Sequence, residues 1–198
     1  MKLLCSPTSP FARKVLVLLR ETGQALETEV QHASPTARNP AVAAANPLGK
    51  IPVLLTPDLG PLYDSRVICQ YLDTRHDGPR LYPEGAARFT ALRREALADG
   101  LLDAALLARY ESIRPDGLVW ADWHAGQEAK MLAALAAMES DLPEGVDIAA
   151  IAYGCALAYL DFRFAGLNWR DRHPALAKWE AAFAARPSMR ATRIPDQG

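Results

Sequence analysis

Cysteine is scarce: Cys5, Cys69 and Cys155 are the only three in 198 residues, and none belongs to a CxxC pair. That excludes a disulfide scaffold, and because each sits in an apolar run, all three read as buried thiols in a reducing compartment. An excess of either charge is also missing. With 22 basic against 23 acidic side chains, and a formal net charge of −1, neither nucleic acid nor an anionic membrane is expected as a partner. No apolar run approaches the roughly 18 residues of a membrane helix. Pro7, Pro10, Arg13 and Lys14 break the N-terminal segment that export would need, so a cytoplasmic protein is expected. His32, His76, His124 and His173 are scattered without metal-ligand spacing, so no metal is expected. There is no Gly-rich phosphate loop, and beyond alanine richness no repeat or low-complexity tract. What remains is a chain that is 50% hydrophobic, which excludes disorder and suffices for a substantial core without disulfides.

The two halves follow different patterns. In the first, Lys2 to Ser6 reads as a short strand, and a helix begins near Pro10, a residue favoured in a first helical turn. Phe11, Val15, Leu18 and Leu19 form one buried stripe on that helix, and Gly23 closes it. Thr28 to Gln31 reads as a second strand, parallel to the first by the βαβ rule. A Pro- and Asn-rich loop from Ser34 to Pro47 holds one helical turn at Ala41–Ala45. Ile51 to Thr56, a turn at Pro57–Gly60 and a short strand to Tyr63 form a hairpin. The helix Ser65 to Arg75 turns Val67, Ile68, Tyr71 and Leu72 to one face. The expected order is βαβ, a helical connector, then ββα, over residues 1–76. The Pro- and Gly-dense stretch 77–85 reads as a linker. Residues 86–198 read as an all-helical domain, with helices over 86–112, 116–141, 147–165 and 174–186, rich in alanine that suits close packing.

Three short segments have chemical potential. Ser9 stands where the first strand gives way to its helix; its hydroxyl suits an ordinary N-cap, or, with the free helix N–H groups, an anion. In Asn46-Pro47-Leu48-Gly49-Lys50-Ile51-Pro52-Val53, a proline early in a strand is awkward for a central ladder, and a cis Ile51–Pro52 bond is one solution. Lys50 is either a solvated lysine or the partner of a ligand carboxylate. Asp64-Ser65 opens a second helix: again a cap, or a site where Asp64 takes an ammonium and the helix N-terminus a carboxylate.

Their order and spacing on a βαβ–ββα unit ahead of a helical domain resemble a cytosolic glutathione S-transferase over essentially the full length. The Ser-Pro-Phe-Ala-Arg-Lys run is similar to the Cys-Pro-Phe-Ala-Gln-Arg of omega-type members, with serine for cysteine. Asn-Pro-Leu-Gly-Lys-Ile-Pro-Val-Leu is the most specific match, Asp-Ser resembles the usual Glu-Ser, and the whole pattern is most similar to bacterial members with Thr-Ser-Pro-Phe near the start. The resemblance implies a thioredoxin-like N-terminal α/β domain and an all-α C-terminal domain. It also implies a homodimer that uses glutathione as co-substrate and a small hydrophobic electrophile as acceptor. Ser9 would then hydrogen-bond the glutathione sulfur, with Phe11 in the same site. Ile51, before a cis-Pro52, would pair its backbone with the cysteinyl part; Asp64 and Ser65 would hold the γ-glutamyl end, and Lys50 would lie near the glycyl part.

Two departures stand out. Asp64 is one methylene shorter than Glu, which shortens its reach. The sixth helix has Asp147 at its cap but Ala150 where the family carries Asp, leaving half of a reciprocal capping box. On the acceptor side, Asp99, Asp103 and Tyr110 lie on the first helix of the helical domain, and Trp120, Trp123 and Phe162 are aromatic candidates, each with plain packing or exposure as the alternative. Cys5 lies inside the first strand and reads as structural. Without an active-site cysteine no mixed disulfide with glutathione can form, which favours conjugation or isomerisation over reduction. A binding or regulatory protein of the same fold, without turnover, is the alternative.

Overall fold

Four short strands organise the first compact unit of the computed structural model, which describes residues 1–24, 27–31 and 37–195. They are β1 (Lys2–Cys5), β2 (Glu27–Val30), β3 (Val53–Thr56) and β4 (Gly60–Leu62), arranged β2-β1-β3-β4. β1 runs parallel to β2, with Leu3 opposite Thr28, as a helical crossover demands. It runs antiparallel to β3, with Leu4 opposite Val53, and β3 turns back into β4 with Leu54 opposite Leu62.

The helix α1 (Pro10–Glu21) joins β1 to β2. Pro10 at its start lacks only a hydrogen that would have no helical partner anyway. Its end is a Schellman turn: Gly23 has φ +66°, the Gln24 N–H reaches the Leu19 carbonyl at 2.8 Å, and the Gly23 N–H reaches Arg20. Val15, Leu18 and Leu19 are buried as their spacing requires, but Phe11 is only half-buried, while Arg13 and Lys14 are buried. Periodicity alone missed this because α1 is covered on more than one side. The short α2 (Pro40–Ala45) is capped by Asn39 and sends Val42 into a cluster with Leu4 and Val53 on one sheet face. Alternation then assigns the buried pair Leu3 and Leu54 to the opposite face. α3 (Ser65–Asp73) packs beside α1, burying Ile68 and Leu72; Val67, expected on that face, is exposed instead. The loop segment around His32 and Ser34 lies outside the described residues.

This unit runs from Met1 to Tyr82, and the chain from Pro187 onward groups with it rather than with the helical unit, where the sequence boundaries put it. The physical reason is local to α1: Arg13 Nη2 donates to the Met189 carbonyl at 3.1 Å, and the Ser188 hydroxyl bonds Glu21. Much of the expected linker also belongs here, because the buried Asp73 carboxylate accepts the Leu81 and Tyr82 N–H groups (2.8 and 3.2 Å).

The second unit, Pro83–Arg186, is helical. α4 (Gly85–Ser112) packs against α5 (Ala121–Ser140) and α6 (Ile148–Arg163), and α7 (Trp169–Arg172) and α8 (Pro174–Ala184) follow; α9 (Pro187–Ala191) is the helix that packs on α1. α6 is buried along most of its length, and its run of alanines around Gly154 allows neighbouring backbones to approach. Its cap is Asp147, whose carboxylate accepts the Ala150 N–H at 2.8 Å. α5 starts later than the sequence pattern suggests. Gly117 takes φ +77°, and the Trp120 N–H is drawn to the Glu111 carboxylate at 2.7 Å, so residues 116–120 leave the helix. Among the described residues, no single helix is long and apolar enough to cross a membrane.

Asp141, just beyond α5, accepts from Arg94 at 2.5 and 3.0 Å and from Arg93 at 2.7 Å. The Arg94 hydrogen bonds, more than any other influence, hold its carboxyl below the usual carboxylate range. Since the folded value lies below the unfolded one, this stabilisation is complete above the ordinary pKa of about 3.9 and disappears as pH falls through the folded value. Asp141→Asn is therefore expected to destabilise the protein by about 1 kcal/mol in denaturant titrations at pH 7, with a difference that shrinks progressively as pH falls below about 3.9. The three thiols are all buried. Thiol-exchange titration should find them slow to react in the native protein and fast in denaturant.

Candidate functional site

Strand register brings the three segments to one end of the sheet. β1 ends where β3 begins, because Leu4 faces Val53, and β4 ends there too, because Leu62 faces Leu54. Ser9 follows β1, Ile51 and Pro52 precede β3, and Asp64 and Ser65 follow β4. The N-termini of α1 and α3 therefore open at the same edge, side by side.

Ser9 caps α1 with extended backbone (φ −82°, ψ 118°); its hydroxyl oxygen accepts the Ala12 N–H at 3.2 Å, and its carbonyl accepts Arg13 N–H at 3.0 Å. Its own N–H is tied to Ser6 O at 3.1 Å, which fixes the turn out of β1. A hydroxyl has one donor and two acceptor positions, so the bond from Ala12 leaves the O–H proton free to donate. Pro10 has no N–H. That leaves the Phe11 N–H as a first-turn donor without a hydrogen bond among the described residues. The family resemblance put Phe11 in the site without assigning a group; its backbone donor is evident only from the hydrogen-bond pattern.

The second segment is held by a residue to which the sequence assigned no role. Asn46 is buried, and its side-chain amide donates to Lys50 O at 2.9 Å while its oxygen accepts the Leu48 N–H at 3.0 Å. Gly49, at φ +66°, completes the turn by donating to Asn46 O at 2.8 Å. The turn leaves Lys50 exposed and delivers the chain to a cis Ile51–Pro52 bond. Pro52 is buried, and the Ile51 backbone makes no hydrogen bond among the described residues.

At the third segment the Tyr63–Asp64 bond is also cis. Asp64 is exposed and caps α3 through one carboxylate oxygen, which accepts the Arg66 N–H at 2.9 Å. Ser65 is 2% exposed, yet its hydroxyl has no protein partner among the described residues. The edge thus offers two helix N-termini, an exposed ammonium and one carboxylate. Such a set suits a small zwitterion with more negative than positive groups. Cys5 is buried in β1 behind this edge, and burial pushes its thiol up, away from the reactive thiolate.

The remaining candidates are on the helical unit. Asp99 on α4 is 1% exposed, whereas Asp103 and Tyr110 are exposed. Trp120 and Trp123 are exposed and stack on each other, with ring centroids 6.0 Å apart and planes 23° from parallel. Glu111, which the sequence reading passed over, is buried and anchors this segment through Trp120 N–H and Arg114; the backbone bond is the main influence lowering its carboxyl pKa. Phe162 is half-buried against Tyr159. His76 bonds Asp73 at 3.2 Å, His32 lies outside the described residues, and no metal-binding group of His, Cys, Asp or Glu gathers among those described.

Comparison with known proteins follows the same division. Residues 3–80 match the family model described as glutathione S-transferase, N-terminal domain, and residues 121–182 that described as glutathione S-transferase, C-terminal domain. The chain is 35% identical to the GST-like protein YibF of Escherichia coli over 202 residues, covering 98% of this chain and 99% of that one. A glutathione transferase family member from Pseudomonas fluorescens, crystallised with bound glutathione, is 47% identical with a TM-score of 0.95, over 98% of each chain. A glutathione S-transferase from Methylobacillus flagellatus with glutathione bound is 39% identical with a TM-score of 0.88, over 98% of this chain and 99% of that one. With a thioredoxin-like unit, a helical unit and relatives matched from end to end, this chain belongs to the glutathione S-transferase family.

Proposed function

We propose that this protein binds glutathione at the sheet edge where Ser9, Ile51 and Asp64-Ser65 meet, and activates its thiol for transfer to a small hydrophobic electrophile. The observation that carries the reading is the convergence of two helix N-termini and an unpaired strand-entry backbone on one edge. Relatives of 47% and 39% identity that hold glutathione support it.

Each part of the tripeptide has a matching group. The γ-glutamyl carboxylate meets the start of α3 and the Ser65 hydroxyl, and its ammonium meets the free oxygen of Asp64. The cysteinyl amide pairs with the Ile51 backbone beside Pro52, and the glycyl carboxylate meets Lys50. The sulfur lies at the start of α1, within reach of the Ser9 hydroxyl and the Phe11 N–H. Asp99, Asp103 and Tyr110 on α4 are the acceptor-side candidates, and the functional species is a cytoplasmic homodimer.

The energetics are sufficient. A free thiol with pKa about 8.5 is only about 3% ionised at pH 7, and lowering that pKa by ~2 units requires ~2.7 kcal/mol of preference for thiolate. A hydrogen bond to a charged acceptor contributes about 1.5–3 kcal/mol, and a partly buried helix terminus up to about 2. Ser9 acts as a donor throughout and need not ionise. The thiolate attacks the electrophilic carbon, the new C–S bond forms as the leaving group or π bond takes the electron pair, and the thiol proton goes to solvent.

Ser9→Ala is expected to lower kcat/KM with a generic conjugation substrate about 10- to 100-fold while glutathione still binds; unchanged activity would remove Ser9 from the chemistry. Asp64→Ala should instead weaken glutathione binding about tenfold in calorimetry and leave the maximal rate within about threefold. Millimolar glutathione that fails to raise the melting temperature would favour a fold retained without this activity.

A further inference from the structure

One charge in α1 has no place in the scheme above. Arg13 is 5% exposed, its Nη2 donates to the Met189 carbonyl, and its Nε has no hydrogen-bond partner. Among the described residues it forms no ion pair. A guanidinium stays protonated at any ordinary pH, and a buried cation is costly unless an anion compensates it. One neutral carbonyl compensates only in part. The first unit therefore holds a positive charge, shielded from water and salt, that none of the described residues neutralises by an ion pair.

Its position gives that charge a use. Arg13 is four residues after Ser9, one turn further along α1, so the two share a helix face. Other charged groups lie on α1 and on the elements packed against it. On α1 these are Lys14 and Arg20, both basic, and Glu21, which bonds Ser188. On α3 they are Arg66, the capping Asp64, and Asp73, whose carboxylate is taken by Leu81 and Tyr82; on α9 there is Arg190.

We propose that Arg13 is an electrostatic positioning residue, whose buried charge favours the thiolate form of a thiol held at Ser9 without touching it. This rests on the glutathione reading above. The Met189 carbonyl, brought to α1 by the C-terminal segment, keeps the guanidinium in place.

The experiment compares the wild type with Arg13→Gln, Arg13→Met and Arg13→Lys, following the ultraviolet absorbance of the thiolate of bound glutathione against pH. Binding of S-methylglutathione, which has no thiol to ionise, is measured in parallel. The neutral variants should raise the midpoint of the bound thiol by about 0.5–1 pH unit, three- to tenfold less thiolate below the midpoint. Arg13→Lys should restore most of it, and affinity for S-methylglutathione should change less than twofold. An unmoved midpoint in the neutral variants, or a lysine variant as impaired as they are, overturns the proposal. So does failure of both neutral variants to fold while Arg13→Lys folds, since the charge would then serve stability. If wild-type protein binds no glutathione, the underlying reading fails first; if it binds with a lowered thiol midpoint that Arg13 does not influence, only the role of Arg13 falls.

Discussion

The antiparallel pairing of β1 with β3 is the constraint on which the site depends. Antiparallel strands place the exit of one beside the entrance of the other, so the chain leaving Cys5 toward Ser9 lies beside the chain arriving through Ile51 and Pro52. The β3–β4 hairpin returns Asp64 to the same edge. The ladder is only a few residues long, but its register is firmly specified. A slip by one residue would turn Leu4 and Val53 away from Val42 and expose what is now core on both faces.

Most of the groups at that edge are backbone donors and short polar caps, which explains how an ordinary-looking sequence can carry a site. Ser9 and Asp64 do for their helices what any N-cap does, and each retains a second valence directed elsewhere: a hydroxyl proton in one case, a carboxylate oxygen in the other. Asn46 commits its whole side chain to shaping the turn before Lys50. The charge pattern is asymmetric. Helix termini and Lys50 make that edge electropositive, with Asp64 as the local exception, a field suited to a small peptide with more negative than positive groups.

Local elements were legible wherever short-range signals agreed. Pro10 after Ser9, the Gly23 stop, the hairpin between Ile51 and Tyr63, and the alanine-rich α6 with Asp147 at its cap all follow from propensity, capping and period. The misreadings share a cause. α5 begins at Ala121 because Glu111, on another helix, captures the Trp120 N–H. The start of α8 falls where the sequence pattern puts it, although its first N–H groups are satisfied not by a local cap but by Glu139, which accepts from Ala175 and Leu176. Val67 matches the apolar stripe of α3 and yet faces solvent, since a period identifies a face but not its width.

Sequence alone determined the order of the strands and of the longer helices, though not the short α7 and α9, together with the caps that begin α1, α3 and α6 and the motif pattern of the family, because these depend on residues within a turn or two of one another. Only the tertiary structure decided which polar groups lie inside and what they meet. It buried Arg13 and Lys14 on a helix whose pattern suggested a single apolar stripe, turned Asn46 inward, and joined the segment after Pro187 to α1. Hydrogen-bond partners and dielectric surroundings are supplied by distant segments, and no local rule specifies them before the chain has folded.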